Sequence, residues 1–171
     1  MNKKGDDKFV KSLVVYFSCY GELEKFAKEI AEVVHGDLFK LEPKIAYDSD
    51  TSHYEALASF VKEERDKEIL PEIKEYPDVS SYDYIFIGYP IWWYTYPQII
   101  STFIKNVDLS GKVVIPFNTH EGSGDGGTYK ELQNELKNSK VLMGLPIRGA
   151  NMSYDQRGNI KEWLDSLKII F

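Results

Sequence analysis

Three short segments combine backbone and side chains suited to holding a ligand. The first, Ser18-Cys19-Tyr20-Gly21-Glu22-Leu23, joins an apolar run to a helical stripe. Unpaired amides and the helix dipole at such a junction attract an anion. Gly21 permits the tight turn. The segment contains neither GxxxxGK[ST] nor GxGxxG, and a plain strand–helix turn accounts for it as well. Cys19 lies where a helix N-terminus can lower a thiol pKa; a small filler is the other reading. The second segment, Tyr89 to Pro97, carries Pro90, Ile91, Trp92, Trp93 and Tyr94. Aromatics at a loop tip are costly to expose. A flat ligand would cover them by stacking, worth roughly 0.5–1.5 kcal/mol per ring beyond area burial; packing under neighbouring loops is the alternative. The third, Asn118 to Thr128, holds Thr119, His120, Glu121, Gly122, Ser123 and Gly124, with Gly126 and Gly127 behind. Its glycines let backbone approach a ligand, and its amides can donate to ring carbonyls. His120 and Glu121 are acid/base types with no partner evident in sequence, so a surface loop also fits.

The elements around these segments alternate between two periods. Leu13–Phe17, Tyr84–Gly88, Lys112–Phe117 and Val141–Ile147 are short apolar runs of the kind buried on both faces of a sheet, and Asp37–Glu42 alternates as an edge strand. Between them, Leu23, Phe26, Ala27, Ile30, Ala31 and Val34 form a helical stripe. Helices are also expected over 54–69, from Pro97 to Val107, through about Ser139, and around Trp163. Five strands alternating with five helices predict a three-layer α/β/α sandwich on a five-stranded parallel sheet. Ligands of such sheets bind at the carboxyl ends of the strands, which are the three segments above.

Composition narrows the function classes. The chain has 171 residues, which suits one domain over 1–171, with 1–10 a polar N-terminal extension. Net charge is −6, and residues 1–80 carry 12 basic against 18 acidic side chains. Without a basic stripe, a nucleic-acid partner is not expected. The single Cys19 excludes an internal disulfide scaffold. The first apolar run is too short for a signal peptide or for a membrane span of about 20 residues, so no membrane insertion and a cytoplasmic location are expected. Three scattered histidines and one cysteine give no metal-ligand spacing.

The three segments, in this order, resemble the flavodoxin-like family, and specifically its short-chain bacterial flavodoxins. The likeness rests on Val14-Val-Tyr-Phe-Ser18 with Gly21, Gly88-Tyr-Pro-Ile-Trp-Trp93 leading into Tyr96-Pro97, and Ile115-Pro-Phe-Asn-Thr-His120 with Gly122-Ser-Gly124. Gly144-Leu-Pro-Ile-Arg-Gly149 and Trp163-Leu164 extend it. The resemblance implies strand order 2-1-3-4-5 and non-covalent FMN. Ser18 through Leu23 would cradle the phosphate, Pro90 through Tyr94 would lie against the isoalloxazine, and Thr119 through Gly124 would meet its other edge. It also implies an electron carrier working with a redox partner protein or a small acceptor such as a quinone, with no catalytic side chain.

One departure stands out. The family's loop resembles S-x-T-G-N-T, whereas here Tyr20, Glu22 and Leu23 replace the two threonines and the asparagine. Each lost charge-assisted hydrogen bond is worth roughly 1.5–3 kcal/mol, and Glu22 adds a like charge. Two alternatives therefore accompany the carrier: an NAD(P)H- or quinone-linked FMN oxidoreductase, and a flavodoxin-like binding module whose altered loop holds no flavin.

Overall fold

The computed structural model describes residues 10–169 and 171. The expected extension at 1–10 therefore lies outside the described residues, apart from Val10. The strands are β1 (Ser12–Tyr16), β2 (Asp37–Lys40), β3 (Tyr84–Pro90), β4 (Val113–His120), β5 (Lys140–Val141) and β6 (Leu145–Arg148). The helices are α1 (Glu22–Val33), α2 (Tyr54–Asp66), α3 (Gln98–Asn106), α4 (Thr128–Glu135) and α5 (Arg157–Ser166). Every strand pairing is parallel, in the order β2-β1-β3-β4-β5, with β6 also on β4. This is the expected 2-1-3-4-5 sheet flanked by helices.

Alternation along the strands feeds two cores. Leu13, Val15 and Phe17 of the first run join Ile85, Ile87 and Tyr89 under Ile99, Ile100 and Phe103 of α3 and Leu132 of α4. Val14 and Tyr16 join Phe86 and Phe117 under Phe26 and Ile30 of α1 and Trp163 of α5. Each fully buried Ile, Leu or Phe stabilises the fold by about 1.5–3 kcal/mol. Continuous apolar runs arise because each strand must satisfy both cores.

Three boundaries differ from the sequence reading. First, β3 and β4 continue to Pro90 and His120, since the ladder extends through Tyr89↔Asn118 and Pro90↔Thr119. Pro90, Thr119 and His120, expected in loops, are strand ends. Proline is tolerated there because its missing donor faces the β1 side, where pairing with β3 ends at Tyr16↔Gly88. Second, the fifth strand, expected as one run over Val141–Ile147, is two short pieces. Leu142 still donates to the Val114 carbonyl, but the Met143 carbonyl turns away to accept from the Trp163 indole at 3.0 Å. Third, α2 and α4 stop at Asp66 and Glu135, short of the expected 69 and 139.

The tip of the Phe117 ring covers Gly88, its register partner, and the ring meets Phe26 edge-on at 5.4 Å. A Cβ on Gly88 would fall 2.1 Å from the Phe117 Cζ. Gly88→Ala is expected to destabilise the protein by about 1–3 kcal/mol through overpacking. The measurement is a lower denaturant midpoint at unchanged slope; a midpoint equal to the parent's would mean that the ring has room to swing aside.

Candidate functional site

The carboxyl ends of β1, β3 and β4 bring the three segments to one rim. After β1, the Ser18 hydroxyl accepts from the Gly21 amide at 3.0 Å, closing the turn. Gly21 takes φ +90, a left-handed conformation, and a Cβ there would meet open space. The turn is therefore limited by backbone conformation, not by crowding. The amides of Cys19, Tyr20, Glu22 and Leu23 have no acceptor among the described residues. They cluster at the N-terminus of a twelve-residue helix, where the dipole reinforces anion binding. The Ser18 hydroxyl, by accepting from Gly21, keeps its own proton to donate.

The side chains of this segment part ways. Leu23 is fully buried in the α1/α5 core, so only its amide faces a ligand. Glu22 is exposed in the first helical turn. The Tyr20 hydroxyl is shielded from solvent and has no hydrogen-bond partner among the described residues. A hidden, unpaired hydroxyl is costly without a ligand. Cys19 is half-buried, its thiol 3.9 Å from the Asp48 carbonyl. Burial first, then the charges of Glu22 and Asp48, push its pKa up to about 11. The thiol is protonated at neutral pH, so the filler reading fits and the activated one does not.

After β3, Ile91 donates to the Thr119 carbonyl at 2.9 Å. Trp92 and Thr95 then exchange backbone bonds in both directions and close a two-residue hairpin turn. Its central residues, Trp93 (φ 50) and Tyr94 (φ 64), are both left-handed. Such turns favour Asn-Gly. A bulky residue there costs roughly 1–2 kcal/mol, so the surroundings must hold it. Trp92 turns inward, edge-on to Phe17 at 5.4 Å and to Tyr47 at 5.5 Å. Trp93 leans on α2, its indole donating to the Ala58 carbonyl at 2.8 Å. Tyr94 is 77% exposed at the tip. Of the aromatics expected to meet a ring, Tyr94 is thus open, Trp93 partly so, and Trp92 forms part of the floor.

After β4, the buried Asn118 donates to the Gly124 carbonyl at 3.0 Å and accepts from the Tyr129 hydroxyl, tying the glycine loop to its strand. His120 Nδ1 accepts from the Gly122 amide at 3.0 Å. That bond leaves the ring proton on Nε2. Glu121 extends towards Gly149, where a Cβ would fall 2.0 Å from its Oε1. Second and third segments meet where Gly126 passes the Tyr94 carbonyl, 3.2 Å from where a Cβ would stand.

Two features escaped the sequence reading. Tyr47, between β2 and α2, packs on Phe17 and Trp92 while its hydroxyl bonds Glu64 at 2.7 Å. Glu64 is only 5% exposed. Burial raises its pKa, partly opposed by the Tyr47 bond. Helical spacing from Leu57 and Val61 was the available signal that Glu64 faces inward. Two hollows border the rim, one reaching Gly21 of the first segment and the other Trp93 and Thr95 of the second. One, of 610 Å³, follows the charged side chains between α1 and α5. The other, of 420 Å³, lies behind Trp93 among Arg65, Lys105 and Glu131. Among the described residues no cluster of His, Cys, Asp or Glu is placed to hold a metal, and no helix is long and apolar enough to cross a membrane.

This amide cradle fits a phosphate, and the exposed Tyr94 on the same rim fits a flat ring. No curated protein sequence matches the chain. Among solved structures, a candidate flavoprotein of Bacteroides eggerthii is 33% identical with a TM-score of 0.80, 94% of this chain and 99% of that one being covered. One from Bacteroides uniformis is also 33% identical with a TM-score of 0.80, covering 91% and 98%. A flavoprotein of Lactobacillus acidophilus, solved in complex with FMN, shares the fold at 21% identity and a TM-score of 0.70, covering 90% and 98%. The Flavodoxin family model matches residues 11–167. With the parallel 2-1-3-4-5 sheet and its three rim segments, this match across nearly all of the sequence shows that the chain belongs to the flavodoxin family.

Proposed function

We propose that this protein is an FMN-dependent redox protein of flavodoxin type, passing electrons between a redox partner protein and an acceptor. The observation that carries the reading is the pairing of unsatisfied amides at Cys19, Tyr20, Glu22 and Leu23 with the aromatic hairpin on the same rim. The complex of the Lactobacillus relative with FMN supports it. Ser18 and those amides hold the phosphate. Tyr94, with Pro90, Ile91, Trp92 and Trp93 around it, lines one side of the ring, and Thr119 to Gly124 the other edge. Bound FMN supplies reversible electron uptake and release, while the protein supplies binding, orientation and local charge.

Backbone donors explain how the segment tolerates Tyr20, Glu22 and Leu23. An amide cradle depends on chain path, not on hydroxyl side chains. The protein is expected to quench FMN fluorescence on titration and to bind riboflavin, which lacks the phosphate, at least about 100-fold more weakly, since several charge-assisted bonds at roughly 1.5–3 kcal/mol are missing. No quenching, or equal affinity for the two, would sink the assignment. Glu22→Asn should tighten FMN roughly three- to tenfold at low salt and less at high salt, the like charge being exposed and screened.

The carrier reading also predicts negligible steady-state turnover with NADPH and a quinone when no partner protein is present. Turnover at rates of about 1 s⁻¹ or more, typical of enzymes, would move the assignment to an oxidoreductase. Exposed Glu22 lies in the first segment and exposed Asp48 beside it, so a basic partner should associate more slowly as salt rises.

A further inference from the structure

The hairpin that is to meet the ring carries two bulky residues in a backbone conformation that suits neither. Its closest supports come from α2 and the segment before it. Arg65 Nη1 donates to the Trp93 carbonyl at 2.6 Å. The Trp93 indole donates to the Ala58 carbonyl at 2.8 Å, and Lys62 Nζ sits 6.0 Å from the centre of the Trp93 ring. Arg65 is itself braced by Asp66, whose Oδ1 takes both Nε and Nη2. Below the turn, Tyr47, anchored on Glu64, meets Trp92 edge-on. Of these contacts, the guanidinium alone reaches a carbonyl inside the turn.

We propose that Arg65 is a positioning residue for the flavin ring. By holding the Trp93 carbonyl, it keeps Trp93 and Tyr94 left-handed and so presents Tyr94 at the rim. This rests on the FMN reading above, and the flavin-free protein tests its mechanical half separately. A left-handed bulky residue without its support leaves the turn readily, so the hairpin should open more often when the guanidinium is gone. Opening exposes the Thr95 amide, which donates to the Trp92 carbonyl at 3.2 Å.

The experiment compares the parent, Arg65→Met, Arg65→Lys, Tyr94→Gly and the Arg65→Met/Tyr94→Gly double variant without flavin, by hydrogen exchange at Thr95 and by indole fluorescence. Arg65→Met should speed Thr95 exchange about tenfold, the factor one strained left-handed residue is worth. Arg65→Lys, still a donor, should restore part of the protection. In the Tyr94→Gly background, where the turn is less strained, the effect of losing Arg65 should shrink to below about threefold. An FMN titration of Arg65→Met should then show affinity several-fold weaker, with thermal midpoint close to the parent's. Unchanged Thr95 exchange in Arg65→Met overturns the clasp. Faster exchange with unchanged FMN affinity overturns the positioning role. A parent protein that takes up no FMN removes the functional reading and the positioning role with it, while the exchange result still reports whether the clasp exists.

Discussion

Burial of β1, β3 and β4 against two helical layers is the constraint on which the rest depends. A parallel strand with both faces covered can vary little in its side chains, and each crossover returns to the same edge. Every connection leaving a carboxyl end therefore emerges on one rim. Phe17, immediately after β1, illustrates how tight the coupling is. It is buried beneath the first segment and touches Trp92 of the second and Tyr47 of the connection to α2. The sheet sets where ligand-binding backbone can be, and the residues just beyond it set what that backbone can hold.

At this rim, backbone and side chains divide the work. The first segment offers mainly amides, since Leu23 is spent on the core and Glu22 faces water. A cradle built from chain path survives replacement of its hydroxyls, provided the turn persists. Its persistence rests on Gly21 and on the Ser18 hydroxyl that accepts from it. The second segment is the reverse case. Its backbone is strained, and the side chains Trp93 and Arg65 keep it in place.

Strand runs and helical stripes were legible because periodicity reports burial directly. The rim was legible as a location for the same reason, since strand ends follow from strand positions. Orientation at the rim was not. Trp92, Trp93 and Tyr94 are adjacent and chemically alike, yet one goes inward, one lies on α2 and one is open. Their directions depend on φ at Trp93 and Tyr94 and on an indole acceptor 35 residues away at Ala58, none of which leaves a periodic trace. The broken fifth strand was missed on similar grounds. Val141–Ile147 reads as one apolar run, but Pro116 on β4 has no N–H to continue the ladder beyond Leu142, and the Met143 carbonyl accepts from the Trp163 indole instead.

α2 shows why such contacts gather there. Its inward face runs Leu57, Val61 and then Glu64, so a carboxylate occupies the place where a third apolar residue would deepen the contact. Leu57 and Val61 belong to neither of the two main cores. A helix with so short an apolar face gains little from burial, and directional bonds decide where it sits. Those bonds run to the hairpin through Arg65 and Ala58 and to the floor through Glu64 and Tyr47. Displacing α2 would release the strained turn, and relaxing the turn would withdraw two of the bonds that hold α2. The two elements stabilise each other, and the rim owes its aromatic side to that mutual support more than to either sequence segment alone.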